Sequence, residues 1–490
     1  MQTDDLEEGK RRHLIAAFIL VLIASCAISS AAYLGINGNH VFRQSDSLSA
    51  ILSFSGWKGL GPMESFSGSP SWFATPIYEF IVSIAASVTG LQGAEGALAA
   101  AVFTDLACFW LLLFPGYRLA ERMGLGSGVI LIFLLATSPL YLHYYSVPLP
   151  DTLALALSVT AVSLLTDERC GMLRTASALI ALSAACLIKS PVPFVLMAFF
   201  LTREALAGNI RKRWRLLALV SLAAIVSALL PEYLRNRFLG SRNAFFAQDP
   251  VCDCWTVDER LSRMFWRTMA NRVTKAAPFR LLGFAYMLAA GAGLVFCAWK
   301  GKLSAAVPFI VSFLAGWLVF ANVFFLHDYY SLPTDFIFFL AAALCIAGAL
   351  RALPRLPPFF RKSWPYALGA AALALTVSGK SLSGIGDAAF PHAASWFLRD
   401  TDVMLYSSEG NGYYDDGNVP GGLFLTPFRR VPRQDLERNC RKYLNEYSAI
   451  AVHDSRGSKC LRSALGKASV FASDDGWTLW IRDDQVSPEP

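Results

Sequence analysis

The stretch Ile77-Tyr78-Glu79-Phe80-Ile81-Val82-Ser83-Ile84-Ala85-Ala86-Ser87-Val88-Thr89-Gly90 decides how this chain is threaded. It is apolar but shorter than the roughly 20 residues a helix needs to cross the ~30 Å hydrocarbon core of a bilayer. If it crosses, every later loop changes side. If it lies on the outer face, the basic loops that follow all fall on one side, as the positive-inside bias of short loops demands. We therefore read Ile77–Gly90 as an interfacial helix on the outer face.

A membrane reading is imposed by composition. Of the 490 residues 55% are hydrophobic and only 16% are charged, against about 25% charged in ordinary soluble domains. The first apolar run, Leu14–Leu34, has no small-residue cleavage site behind it and reads as a retained span. Further runs follow at Glu95–Leu119, Gly126–Ser146, Thr152–Thr166, Thr175–Ile188, Pro191–Leu201, Leu216–Tyr233, Leu281–Ala298, Ser304–Leu326, Leu332–Leu350 and Tyr366–Ser378. Hydropathy thus gives about eleven transmembrane helices. Thr175–Leu201 could equally be one broken re-entrant pair, with the same parity. Lys10, Arg11 and Arg12 place the N-terminus in the cytoplasm, and Arg122, Arg174, Arg211–Arg215, Lys300, Lys302 and Arg351–Lys362 mark inner loops. The C-terminus is then outside, in a multi-pass inner (plasma) membrane, periplasmic if the cell is Gram-negative.

The expected organisation is an all-α polytopic membrane domain over 1–380 with a small extracytoplasmic α/β domain over 381–490. Outer loops cover 35–95 and 234–280. In the soluble part Asp400–Ser407, Tyr447–His453 and Ala468–Asp483 read as strands, the last turning at Asp474-Asp475-Gly476, and Pro432–Asn445 as a helix. Cys440 and Cys460 could pair in an oxidising compartment. Cys252 and Cys254 form a C-x-C with no histidine or further cysteine nearby, which points to a disulfide or free thiol more than to a metal. The net charge of +7 is accounted for by inner loops facing anionic headgroups and is no sign of a nucleic-acid partner.

Threaded this way, four costly ionisable residues share the outer ends of their segments: Asp46, Asp151, Lys189 and His327. A charge in lipid marks a functional site by default. Each also has a plainer reading. Asp46 opens an amphipathic stretch to Phe54, with Leu48, Ile51 and Leu52 on one face, and could cap that helix. Asp151 could cap its span, Lys189 could snorkel to headgroups, and Tyr329 and Tyr330 could be interfacial aromatics. That four such accidents should meet at one membrane face favours a shared polar cavity.

The outer-loop Asp46, the Pro150-Asp151 step, the Lys189-Ser190-Pro191 step and His327-Asp328-Tyr329-Tyr330 resemble the GT-C membrane glycosyltransferases. More narrowly, they are similar to the dolichyl-phosphate-mannose protein mannosyltransferase-like group, which includes the bacterial lipid A aminoarabinose transferase. The resemblance covers about residues 10 to 380, and its motifs are short. Many relatives carry Lys-Pro-Pro-Leu-x-Tyr-Trp where this chain has Phe73-Ala74-Thr75-Pro76-Ile77-Tyr78-Glu79. One proline and Tyr78 survive and the lysine does not, so phosphate contacts would fall to Arg43, Lys189 or Arg235.

That resemblance implies an inverting transfer of a hexosyl or pentosyl group. The donor is a polyprenyl-phosphate sugar, and the acceptor is a lipid, glycan or protein at the outer face, among membrane lipids. An acceptor hydroxyl loses a proton as it attacks, which calls for a carboxylate base; Asp46 is the expected base, with Asp151 next in line and orienting a cation. The leaving phosphate calls for cationic donors, here Lys189 and Arg43, helped by His327 and Tyr330. Tyr78 and Tyr329 would line the acceptor cavity. No cofactor is called for, and a divalent metal stays open. The competing readings are a polysaccharide or O-antigen ligase-type enzyme, whose base would lie in the Arg-rich loop 234–280, a secondary transporter, whose polar residues belong near the midplane, and a non-catalytic scaffold.

Overall fold

The computed structural model of the chain describes residues 76–91, 93–124, 126–145, 147–167, 171–239, 260–275, 303–321 and 328–352, short strands elsewhere, and scattered residues between them. In chain order the elements are β1 (Met63–Glu64), β2 (Pro70–Ser71), α1 (Ile77–Thr89), α2 (Gly93–Met123), α3 (Ser127–Ala136), α4 (Pro139–Tyr144), α5 (Pro150–Leu165), α6 (Met172–Lys189), α7 (Pro191–Leu206), α8 (Ile210–Leu239), α9 (Arg263–Lys275), α10 (Leu303–Leu314) and α11 (Leu332–Ala352). Strands β3 (Val403–Tyr406), β4 (Phe428–Val431), β5 (Ala449–His453), β6 (Ala468–Ala472) and β7 (Trp477–Arg482) follow. The chain divides into two compact units, Met1–Ala31 with Val102–Ser381 and Ala32–Ala101 with Leu382–Pro490.

In the first unit α5 is the axis. It is buried on nearly every side, which is what a helix apolar all round requires. It lies against α6 and α7; α7 in turn lies against α10, and α11 against α3. Two contacts show that α6 and α7 form a hairpin. Arg174 at the start of α6 bonds Asp167 just beyond the end of α5. Glu204 near the end of α7 is held by Arg213, whose other nitrogen donates to the Leu165 carbonyl. Both open ends of the hairpin therefore meet the Leu165 end of α5, and its tip, Lys189-Ser190-Pro191, returns to the Pro150 end.

Among the described residues, Gly96–Met123, Met172–Lys189, Ile210–Leu230 and Leu332–Leu350 are long and apolar enough to cross a membrane. On α6 and α8 large apolar side chains such as Ile180 and Leu222 point outward, as lipid-facing surfaces do. Several expected spans have different bounds. Gly126–Ser146 is not one helix: α3 ends at Ala136 and α4 begins afresh at Pro139. Proline has no N–H to continue a helix and suits the first position of a new one. Ser138 accepts for that new start, its carbonyl taking the Leu142 N–H at 2.9 Å. Ser304–Leu326 also changes character, passing at Ala315–Val319 into a π-helical turn. The basic run Arg211–Arg215, expected as a loop, is the first turn of α8, kinked at Arg213.

The second unit contains α1. It closes on Gly90, whose φ of +72° is open to glycine without steric cost and lets the Leu91 N–H reach the Ala86 carbonyl at 3.0 Å. Thirteen residues rise only about 20 Å. This unit also holds a five-stranded antiparallel sheet in the order β4-β3-β5-β7-β6. β3, β5, β6 and β7 lie within the stretches expected to be strands; β4 was not anticipated.

Candidate functional site

The site grows from two helix starts and one hairpin tip. Leu149 is extended, φ −131° and ψ 128°, as a residue before proline must be. Pro150 then opens α5, and Asp151 falls in its first turn, fully buried. Its carboxylate caps nothing: the cap position is Leu149, without a side-chain bond. The capping reading of Asp151 therefore fails, although an acid in a first turn still suits the helix dipole.

At the tip of the hairpin, α6 ends on Lys189 and α7 begins on Pro191. A proline disfavours helical geometry at the residue before it, here Ser190. Ser190 nonetheless stays right-handed, φ −54° and ψ −35°. The break comes from Pro191 and Pro193, which withhold two N–H groups from the ladder. The tip carries Lys189 to Asp151, with Nζ 3.5 Å from Oδ2 and both side chains buried. The ammonium also lies 4.6 Å from the centroid of the Tyr330 ring, within cation–π range. Tyr330 belongs to the 3-10 turn Asp328–Ser331 that leads into α11.

The ion pair is loose. A charge-assisted N–H···O bond is about 2.7–2.9 Å, and neither oxygen of Asp151 accepts a hydrogen bond from the described residues. The site therefore holds a cation on an aromatic face, with a carboxylate beside it whose acceptor capacity is open. Such a group can meet an incoming anion, and the acid can accept from a donor the anion brings.

Behind this pair lies a buried polar belt that sequence reading missed. Thr152, next to Asp151, donates to Asp105 of α2 at 2.6 Å and lies 2.8 Å from the Leu149 carbonyl. The Tyr145 hydroxyl donates to the Thr152 carbonyl at 3.3 Å. On the other side Tyr141 donates to the Leu332 carbonyl at 2.6 Å, and Ser331, next to Tyr330, donates to Asp335 at 2.8 Å. Asp105 and Asp335 both lie inside runs read as spans. The cost of a carboxylate in lipid was signal enough, but only segment ends had been weighed.

Of the other expected site residues, Tyr78 lies fully buried in α1, and Tyr329 lies in the same 3-10 turn as Tyr330. Arg43, Asp46 and His327 lie outside the described residues, as do Cys252, Cys254, Cys440 and Cys460. Of the stretch after Asp46, Ser47, Ala50, Ile51 and Phe54 are helical. Ile51, expected on the apolar face, is buried, as are Ser47 and Phe54, and Phe54 meets Phe80 edge to face at 5.6 Å. Among the described residues, no group of three or more His, Cys, Asp or Glu side chains could hold a metal ion, and Cys108 and Cys186 are free thiols.

No family model and no curated protein sequence matches the chain. Among solved structures it is similar to ArnT from Cupriavidus metallidurans in the apo state, with TM-score 0.57, 13% identity, and coverage of 96% of this chain and 99% of that one. It is likewise similar to ArnT bound to undecaprenyl phosphate, at TM-score 0.56 and 11% identity over the same shares. The oligosaccharyltransferase AglB from Archaeoglobus fulgidus, in complex with an inhibitory peptide and a dolichol-phosphate, matches more loosely, at TM-score 0.48 and 13% identity over 86% of this chain and 60% of that one. The likeness to ArnT, end to end in both chains, is one of fold: the chain has the GT-C fold that its short motifs resemble.

Proposed function

We propose that this GT-C chain is an inverting glycosyltransferase. It moves a sugar from a polyprenyl-phosphate donor to a hydroxyl acceptor at the extracytoplasmic face. The observation that carries the reading is the Lys189 ammonium, buried 3.5 Å from Asp151 and 4.6 Å from the Tyr330 ring centroid at the tip of a broken hairpin. A cation kept at a fixed depth, with its partner loosely engaged, suits a lipid-borne phosphate better than a headgroup snorkel, which needs no helix break. The structure of ArnT with undecaprenyl phosphate supports a donor of that class.

In the reaction, Asp46 takes the acceptor proton as the acceptor oxygen forms a bond to the anomeric carbon. The bond from that carbon to the phosphate oxygen breaks on the opposite side, inverting the centre. The electron pair stays on the polyprenyl phosphate, where Lys189 and Arg43 receive the charge, with His327 and Tyr330 as further hydrogen-bond donors. Asp151 orients Lys189, and Tyr78 and Tyr329 border the acceptor. About eleven spans, an outside C-terminus, α1 at the outer interface and a soluble 381–490 domain complete the reading.

The test titrates an undecaprenyl-phosphate-linked sugar against purified protein in nanodiscs. Lys189→Ala should weaken donor use strongly, while Lys300→Ala, on the inner side, should leave it alone. Asp46→Asn should cut turnover by about 10²–10⁴ without loss of protein from the membrane. Small, equal effects of the two lysine changes would refute the donor site.

A further inference from the structure

We infer that Asp105, with the Tyr141–Tyr145 pair, positions the Lys189 site: these residues fix the two segments that face the ammonium. The inference deepens the proposed function and rests on the Lys189 site being the place where a lipid phosphate binds.

Lys189 is held between two starts, that of α5, carrying Asp151, and the 3-10 turn before α11, carrying Tyr330. Each contact residue is followed by a hydroxyl residue, Thr152 or Ser331, bonded to a buried carboxylate. The Ser331–Asp335 bond is local to its own helix start. The Thr152–Asp105 bond is not, because it joins α5 to α2 across 47 residues of sequence. At 2.6 Å it has the length of a charge-assisted O–H···O bond.

Thr152 has one hydroxyl proton and two acceptors in reach, Asp105 and the Leu149 carbonyl. Without Asp105 the proton goes back to Leu149, and α5 keeps its fold and its Arg122 contact to α2 at the Leu165 end while losing the tie at its Pro150 end. Asp105 is thus dispensable for making the helix and useful for aiming it.

The second tie runs through α4. Tyr141 and Tyr145 stand one helical turn apart, both buried, their rings 6.0 Å apart and 11° from parallel. Phe109 backs Tyr145 and Phe339 backs Tyr141. One hydroxyl bonds the start of α5 and the other the start of α11. The stacked rings thereby set the gap between Asp151 and Tyr330, which is where the Lys189 ammonium lies. Binding constellations need such backing to hold their geometry to within about 0.5 Å.

The experiment measures binding of undecaprenyl phosphate to full-length protein in nanodiscs, together with thermal unfolding. Thr152→Val and Tyr141→Phe should each weaken binding about tenfold, the scale of one lost hydrogen bond near a charge, and Thr152→Ser should restore it. In a Lys189→Ala background, Thr152→Val should have no further effect, because the tie acts only through the ammonium. A structural role would lower the unfolding temperature and leave the affinity of folded protein unchanged. Equal affinity in Thr152→Val and wild type, or the same tenfold loss with and without Lys189, overturns this inference alone. A wild type that does not bind the lipid phosphate overturns the proposed function and this inference with it.

Discussion

At the Leu165 end of α5, Glu204 accepts from Arg203 at 3.2 Å, Asn209 at 3.2 Å and Arg213 at 2.8 Å, while Arg213 also bonds the Leu165 carbonyl at 2.7 Å. At the Pro150 end, Asp151 faces Lys189 at 3.5 Å and accepts no hydrogen bond from the described residues. The two pairs have similar chemistry, the carboxylate is buried in both, and about 24 Å of helix separates them. One is saturated and binds helix ends together. The other is left open, and an open buried pair is hard to explain by stability alone, since buried polar groups are normally satisfied.

The comparison breaks most sharply on double neutralisation. Lys189→Met with Asp151→Leu should cut transfer by about 10²–10³, the scale of losing a preorganised charge contact. Unfolding in detergent should be unchanged or later, because apolar replacement of a loosely bonded buried pair is often neutral or stabilising. A large fall in stability would make the open pair a structural one.

Glu204→Ala should do the reverse. It leaves Arg213 without its carboxylate and should cost about 3–5 kcal/mol of stability, read from denaturant unfolding, while protein that stays folded keeps its donor affinity. A smaller penalty follows at the same end from Gly128→Ala. A Cβ there would sit 2.6 Å from the Tyr117 ring and 2.8 Å from the Tyr117 carbonyl, beside the amides of Gly126 and Gly128 that bond Glu121. About 1–3 kcal/mol is expected from such crowding. Least of all should come from Arg174→Ala. Its bond to Asp167 is 2.7 Å, but the arginine side chain is 53% exposed, and exposed pairs are worth under about 1 kcal/mol. If Arg174→Ala matched Glu204→Ala, burial would not be what separates these pairs.

The meeting of Asp151 and Lys189 was legible because it needs only topology: a hairpin whose tip returns to the start of the preceding helix. The fold shared with ArnT was legible through a resemblance carried by four short steps along the chain. Asp105 was visible as a charge within Glu95–Leu119 but was passed over, and the break at Ser138-Pro139 carried its own cap signature. Tyr141 could not have been read. Its partner is a main-chain carbonyl 191 residues away, and every residue type presents the same carbonyl.

The order of Asp151 and Lys189 along the chain bears on how the protein is made. During synthesis α5 leaves the ribosome first, so its carboxylate is in the membrane before the α6–α7 hairpin arrives. A lysine costs about 2.5–3.5 kcal/mol to insert at the centre of a span and less toward its end; a counter-charge already in place would lower what remains for the tip. Insertion of the hairpin would then draw on an acid already delivered. Glycosylation mapping of nascent chains would detect the dependence as poorer hairpin insertion in Asp151→Ala, and equal insertion in the two chains would remove it.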